Sequence, residues 1–182
     1  MLADSHRFLR NFIRNPHATG AVAPATHALS RSVAAAAQEV YARHRAADDG
    51  RLQVLELGAG TGALTHGITR LQPVLVERDM GWARLLRHRF PTLEVREQCA
   101  SEALGQLEAP AGIVSSIPLL NNPQSSDLKR LIADRYAAGL IRFFVLYTYG
   151  WKDPLAGSGF RTARRASFVA RSFPPAHVWL YE

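Results

Sequence analysis

The sequence predicts an α/β fold in one domain over residues 1–182, with a mostly parallel seven-stranded sheet, helices on both faces and an antiparallel edge strand. Three observations predict it. Short apolar runs alternate with segments of helical periodicity, the pattern of βαβ units. A glycine-rich turn, "GAGTG", separates the first such run from the helix after it. The last two strand-like runs, "RRASFVARSF" and "AHVWLYE", are joined through Phe173, Pro174 and Pro175 with no helix between them, so one of them should run antiparallel. A chain of 182 residues holds one full core and no comfortable second one.

Taken in order, Asp4 and Ser5 are candidate caps for a helix in which Phe8, Leu9, Phe12 and Ile13 recur with Arg7, Arg10 and Arg14 between them. Such a basic amphipathic helix either packs on the domain or lies in a lipid headgroup layer. With the loop "NPHATGAVAP", residues 1–25 are read as a membrane-binding and lid candidate ahead of a catalytic core over 26–182. From Thr26 to about His44, Leu29, Val33, Ala37, Val40 and Tyr41 mark a helix that "AADDG" stops. Next come "LQVLELG" as strand, "TGALTHGITRL" as helix, "PVLVE" as strand and "DMGWARLLRHRF" as helix. The strands "TLEVREQ" and "AGIVSSI", a helix around Asp127 to Ala138 and the strand "LIRFFVLYTYG" complete the series.

With 47% hydrophobic and 20% charged residues, the composition fits a globular enzyme and excludes disorder. The net charge of +7, carried by Arg far more than Lys, points to a polyanion, either nucleic acid or an anionic membrane face. Cys99 is the one cysteine, so an intrachain disulfide is excluded, and neither a metal site nor an oxidising compartment is expected. The most apolar run, "GLIRFFVLYTYGW", is interrupted by Arg142 and is shorter than the roughly 20 residues of a spanning helix. No apolar signal core opens the chain, so a cytoplasmic protein is expected, neither secreted nor transmembrane.

In "VLELGAGTGALTHGI" an apolar strand enters a turn holding Gly58, Ala59, Gly60, Thr61 and Gly62. Glycines there let backbone approach a ligand closely, and a helix starting at once turns its N–H groups toward the ligand's anionic part. Gly58, Gly60 and Ala63 also satisfy the dinucleotide pattern, with Glu77 near the distance for a ribose contact. Two features favour S-adenosylmethionine over a nicotinamide. Glu56 ends the first strand, where a desolvated carboxylate needs a partner that a methionyl ammonium supplies and a pyrophosphate does not. The closing two-strand hairpin is the pattern of the class I, Rossmann-like methyltransferases, whereas a nicotinamide domain usually needs a further substrate domain. Glu77, followed by Arg78, is expected to accept hydrogen bonds from both ribose hydroxyls. Methyltransferases often carry an adenine-reading Asp after the third strand. This chain has Gln98, Cys99 and Ala100 there, which leaves adenine to Gln98 or to backbone groups near Ala100.

The segments "FLRNFIRNPHATGAVAPATHALSRSV", "VLELGAGTGALTHGI", "VERDMGWARLLRHRFP", "IVSSIPLLNNP", "LYTYGWKDP" and "FPPAHVWLY" together resemble the short, soluble bacterial phospholipid N-methyltransferases, relatives of the rRNA adenine dimethyltransferases. The resemblance runs through most of the chain. It implies transfer of up to three methyl groups from S-adenosylmethionine to phosphatidylethanolamine, giving phosphatidylcholine and S-adenosylhomocysteine. It also implies a peripheral enzyme on the cytoplasmic membrane face, with anionic membrane and phospholipid as partners and no nucleic acid.

Methyl transfer is an in-line displacement at a sulfonium, so the protein's main tasks are alignment and exclusion of water. The attacking amine must be neutral, and an ammonium of pKa about 10.4 costs on the order of 4 to 5 kcal/mol to deprotonate near pH 7. Burial lowers that cost, and a hydroxyl or carbonyl can accept the proton or pass it to water. The candidates are Ser115 and Ser116, with Pro118 and Leu119 as apolar wall, and Tyr147 and Tyr149. Tyr147, Tyr149 and Trp151 alternate at the end of the fifth strand, as an aromatic cage for methylated ammonium would, and as core packing would too. Arg161, Arg164 and Arg165 are candidates for the lipid phosphate, or form a solvated basic loop.

The rival is an RNA adenine N-methyltransferase. In the resembled rRNA enzymes the segment after the fourth strand reads Asn, apolar, Pro, aromatic, for orienting the amine and stacking on the flipped base. Ser116 and Leu119 occupy those places here, and the helical RNA-gripping domain expected after the sheet is missing from the sequence. A methyltransferase-like fold that binds without catalysing is the third reading.

Overall fold

Seven strands form one sheet in the order β3-β2-β1-β4-β5-β7-β6. They are β1 (Gln53–Leu57), β2 (Val74–Val76), β3 (Val95–Arg96), β4 (Ala111–Ser115), β5 (Ile141–Thr148), β6 (Ala163–Val169) and β7 (Ala176–Tyr181). This computed structural model describes residues 26–47, 50, 52–120, 125–172 and 174–182. The amphipathic helix and lid read over 1–25, with Arg7, Phe8, Arg10, Phe12, Ile13 and Arg14, lie outside the described residues.

The first five strands are parallel to one another, and β7 pairs antiparallel with both β5 and β6. The antiparallel pairing is therefore at the end of the sheet where the helix-free hairpin put it. Within that hairpin β7 is the inner strand and β6 the outermost, so the reversed strand is second from the edge. Strands β1, β4 and β7 are buried almost throughout, as expected of strands covered on both faces. After β3 the chain crosses to β4 on the other side of β1, which opens a crevice at the carboxyl ends of β1 and β4.

Helix α1 (His27–Ala47) buries the stripe Leu29, Val33, Ala37 and Val40 against Val54, Phe143, Val145 and Val178 on one face. The opposite face carries Leu55, Leu57, Ile113 and Phe144 beneath α4 (Ala100–Gly105) and α5 (Ser125–Ala137), through Leu104 and Ile132. Helix α3 (Met80–Arg89) covers Leu75 with Leu86, and Phe90 just past its end joins that contact.

Three elements differ from the sequence reading. The helix expected over "TGALTHGITRL" is one turn, α2 (Thr65–Ile68), followed by a 3-10 turn (Thr69–Leu71), because Gly62 has φ +80°, outside helical geometry. The strand expected over "TLEVREQ" shrinks to Val95–Arg96. Helix α4 was not anticipated, and its signal is a capping box in which the Cys99 N–H donates to Glu102 Oε2 at 3.0 Å.

Candidate active site

The loop after β1 is held by β2, whose Val76 carbonyl accepts from the N–H groups of Gly58 and Ala59 at 2.9 and 3.2 Å. Gly58, Gly60 and Gly62 all have positive φ. A Cβ on Gly58 would reach 2.8 Å from Ile117, and one on Gly62 would overlap the Phe90 ring. Gly60 differs, since a Cβ there would meet only the Gly58 carbonyl at 3.9 Å, which leaves its surface open to a ligand.

Glu56 is fully buried on the α1 side of β1. Thr65 Oγ1 donates to its Oε2 at 2.7 Å, while Oε1 is buried without a partner. Desolvation pushes the Glu56 pKa up to about 8, the Thr65 hydrogen bond opposes the shift and the charge of Glu77 adds to it. The carboxyl is therefore protonated near neutral pH until a cation adjoins it. Thr65 was missed by the sequence reading; its signal is a hydroxyl opening the short helix that follows the glycine loop.

Glu77, only 8% exposed, accepts from the Gly60 N–H at Oε2 and from the Asp79 N–H at Oε1, both at 2.9 Å. It therefore fastens the glycine loop to the start of α3, and each oxygen keeps a further lone pair for a hydroxyl. Arg78 beside it is exposed, and Thr61 is half-buried in the loop. Past β3, the Gln98 amide holds a buried Nε2 without a partner, and Ala100 opens α4 next to it. An orphaned carboxylate oxygen, an orphaned amide and an unobstructed glycine lie along one edge, and they fit the ammonium, adenine and chain of S-adenosylmethionine.

After β4 the two serines part. Ser115 is buried and its Oγ accepts from the Ile117 N–H at 3.2 Å, which closes a turn. Ser116, half-buried, donates its N–H to the Leu57 carbonyl at 3.0 Å, and its hydroxyl interacts with Tyr147. Leu119 lies in the core, and its carbonyl accepts from Ser125 Oγ at 3.0 Å. Tyr147 is buried on the same side of the sheet as Glu56, and its ring meets Tyr149 edge-on at 5.7 Å. Burial first, then the neighbouring Tyr149, raises the Tyr147 pKa, so its hydroxyl stays neutral; burial likewise raises that of half-buried Tyr149.

The third aromatic goes elsewhere. Strand β5 stops at Thr148, so the alternation breaks, and Trp151 stacks on Phe168 at 6.2 Å and meets His177 at 4.4 Å. The three arginines are not brought to the glycine loop. Arg161 precedes β6 near the amino edge of the sheet, where its N–H donates to Tyr136 Oη at 3.1 Å. Arg164 pairs with Glu39 of α1 at 2.8 Å, and Arg165 lies over the rings of Trp151 and Trp179 at 5.5 and 6.0 Å.

Solved structures share this architecture. The chain resembles the bifunctional kinase-methyltransferase WbdD (TM-score 0.59, 18% identity), matching 82% of this chain and 39% of that one. It resembles the 23S rRNA methyltransferase ErmE (TM-score 0.56, 18% identity), over 82% of this chain and 66% of that one. The magnesium protoporphyrin IX methyltransferase ChlM from Synechocystis PCC 6803, solved with bound SAM, matches at TM-score 0.57 and 15% identity, over 85% and 79% of the two chains. The fold is the Rossmann-like one of these methyltransferases, and Glu56, Glu77, Gln98 and the open Gly60 are the residues that would hold S-adenosylmethionine. No protein-family model matches the chain. In sequence it is 30% identical over 146 residues to the ornithine lipid N-methyltransferase of Singulisphaera acidiphila, covering 72% of this chain and 71% of that protein. The chain belongs to the family of lipid N-methyltransferases that this relative represents.

Proposed function

We propose that the chain methylates the primary amine of phosphatidylethanolamine in up to three steps, giving phosphatidylcholine, as a peripheral enzyme on the inner face of the membrane. The supporting observation lies after β4. Where an RNA-base enzyme needs an amide and a stacking ring, this chain has Ser116 beside Tyr147 and a Leu119 sunk in the core. A flexible aliphatic amine needs neither amide nor ring.

When bound, the cofactor supplies an electrophilic methyl group on a sulfonium. Glu56 would ionise against the methionyl ammonium, Glu77 would accept from the ribose hydroxyls, and Gln98 would serve the adenine. The neutral Tyr147 hydroxyl fixes the substrate amine on the α1 side of the crevice. Half-buried Tyr149 connects Tyr147 to solvent, so Ser116, Tyr147 and Tyr149 form a hydroxyl path by which the amine's proton reaches water. Pocket burial favours the uncharged amine before attack.

Ornithine lipid is the second reading, favoured by the name of the Singulisphaera acidiphila relative. Expression in a bacterium that makes phosphatidylethanolamine and ornithine lipid but no phosphatidylcholine separates the two by lipid mass spectrometry. Mono-, di- and trimethylated phosphatidylethanolamine support the first reading, and N-methylated ornithine lipid alone selects the second. Neither product from a folded, cofactor-binding chain contradicts both.

A further inference from the structure

Among the described residues, three large apolar side chains are exposed: Met80 (52%), Trp151 (73%) and Phe168 (55%). All three lie at one edge of the sheet. Met80 opens α3 after β2, Trp151 follows β5, and Phe168 is near the end of β6, which runs in the same sense as β5. That is the carboxyl edge, which also holds the glycine loop, Glu77 and Ser116. From β2 to β6 the edge spans five strand spacings, about 24 Å, so Met80 stands on one side of the crevice and the Trp151–Phe168 pair on the other.

The charges of this edge are sorted by sign. Its acids are engaged: Glu77 and Asp79 by backbone N–H groups, Glu97 by Arg87 at 3.3 Å, and Asp127 by Arg130. Arg78, Lys152 and Arg171 are exposed at the same edge and make no ion pair among the described residues. An exposed Trp and Phe beside unpaired cations fit the headgroup layer of an anionic bilayer, where an amphipathic ring has one wet and one apolar side.

We propose that the carboxyl edge is a lipid-docking surface, with Met80 on one side of the cofactor crevice and Trp151 and Phe168 on the other, so that the amine pocket opens onto the bilayer. This rests on the lipid-amine reading above. The chain's own first 25 residues are a poor occupant by charge, since Arg7, Arg10 and Arg14 oppose only Asp4 there and would face Arg78, Lys152 and Arg171.

Tryptophan quenching by vesicles of phosphatidylcholine and phosphatidylglycerol with brominated acyl chains tests it directly, because Trp82, Trp151 and Trp179 are the chain's only tryptophans and none lies in the first 25 residues. Wild type should be quenched strongly and Trp151→Ser much less, the remainder coming from Trp82 beside Met80. Trp151→Ser/Phe168→Ser should partition onto these vesicles at least tenfold more weakly while keeping wild-type stabilisation by S-adenosylmethionine. Equal quenching in wild type and Trp151→Ser overturns the proposal, as does unchanged partitioning of the double variant. A shift of Trp151 emission by single-stranded RNA with none by vesicles also overturns it. Docking without any methylated lipid leaves the surface standing and removes the lipid-amine reading. Methylation of detergent-dispersed lipid without vesicle docking does the reverse.

Discussion

Glu56 and Ser115 lie on neighbouring paired strands within one residue of the same level, since Leu57 is opposite Ser115, yet they use their polar atoms in opposite ways. Glu56 keeps a buried oxygen without a partner, whereas Ser115 commits its hydroxyl to the Ile117 N–H. The contrast extends across the edge. On the β1–β3 side, Glu56, Glu77 and Gln98 retain capacity that only a ligand would use. On the β4–β7 side, Ser115, Arg164 and Arg165 are taken up by their neighbours and the orphaned Ser167 Oγ and Trp179 Nε1 belong to the β6–β7 hairpin, while Ser116, Tyr147 and Tyr149 stand together at the ends of β4 and β5. On the proposed reading, cofactor binding rests on the unsatisfied groups beside the glycine loop, and substrate choice rests on a few hydroxyls and the space around them.

The largest test of this division is Gly60→Val. A β-branched residue at φ +53° adds strain on the order of 1 to 3 kcal/mol and fills the open approach, so thermal stabilisation by S-adenosylmethionine should vanish while the unliganded protein still folds. Stabilisation equal to wild type would break the assignment of the loop.

Tyr147→Phe tests the other half. It should lower kcat roughly 10- to 100-fold and leave cofactor affinity within about twofold if, as proposed, the hydroxyl meets the amine and not the cofactor. A parallel loss of cofactor affinity would merge the two halves.

Glu56→Gln is expected to act through pH. The free protein holds the Glu56 proton up to pH about 8, and the methionyl ammonium expels it, so wild-type cofactor affinity should rise with pH toward that value, by at most about tenfold per unit. The sign for stability is opposite. Between the ordinary carboxylate value of 4.5 and about 8 the native state keeps a proton that the unfolded chain has lost, so stability without cofactor falls as pH rises. Glu56→Gln should flatten both dependences, which calorimetry and chemical denaturation across pH 5 to 9 would read.

Arg164→Gln should do least. Its partner Glu39 is exposed on α1, so melting temperature and methyl transfer should both stay at wild-type values. A selective rise in KM for lipid would return Arg164 to the substrate site.

The β1–β3 side was legible in the sequence because backbone dictates it. A turn needing positive φ demands glycine, and a strand end fixes where Glu56 and Glu77 stand. Gln98 was legible as the residue occupying a position where an Asp is frequent. The β4–β7 side was less so, because its side chains depend on where strands stop and which way the next one runs. Trp151 left the Tyr147–Tyr149 series because β5 ends at Thr148. Arg161 is remote because the chain returns to the amino edge before β6 begins. Pattern could not tell Ser115 from Ser116, since one residue of strand register decides which hydroxyl closes the turn and which faces Tyr147.

Methyl transfer to a lipid amine is read out by incubating the purified chain with methyl-labelled S-adenosylmethionine, phosphatidylethanolamine-containing vesicles and total RNA in one reaction. Label should appear in the organic phase, on the amine headgroup, and be lost in Tyr147→Phe. Label confined to the RNA would contradict it.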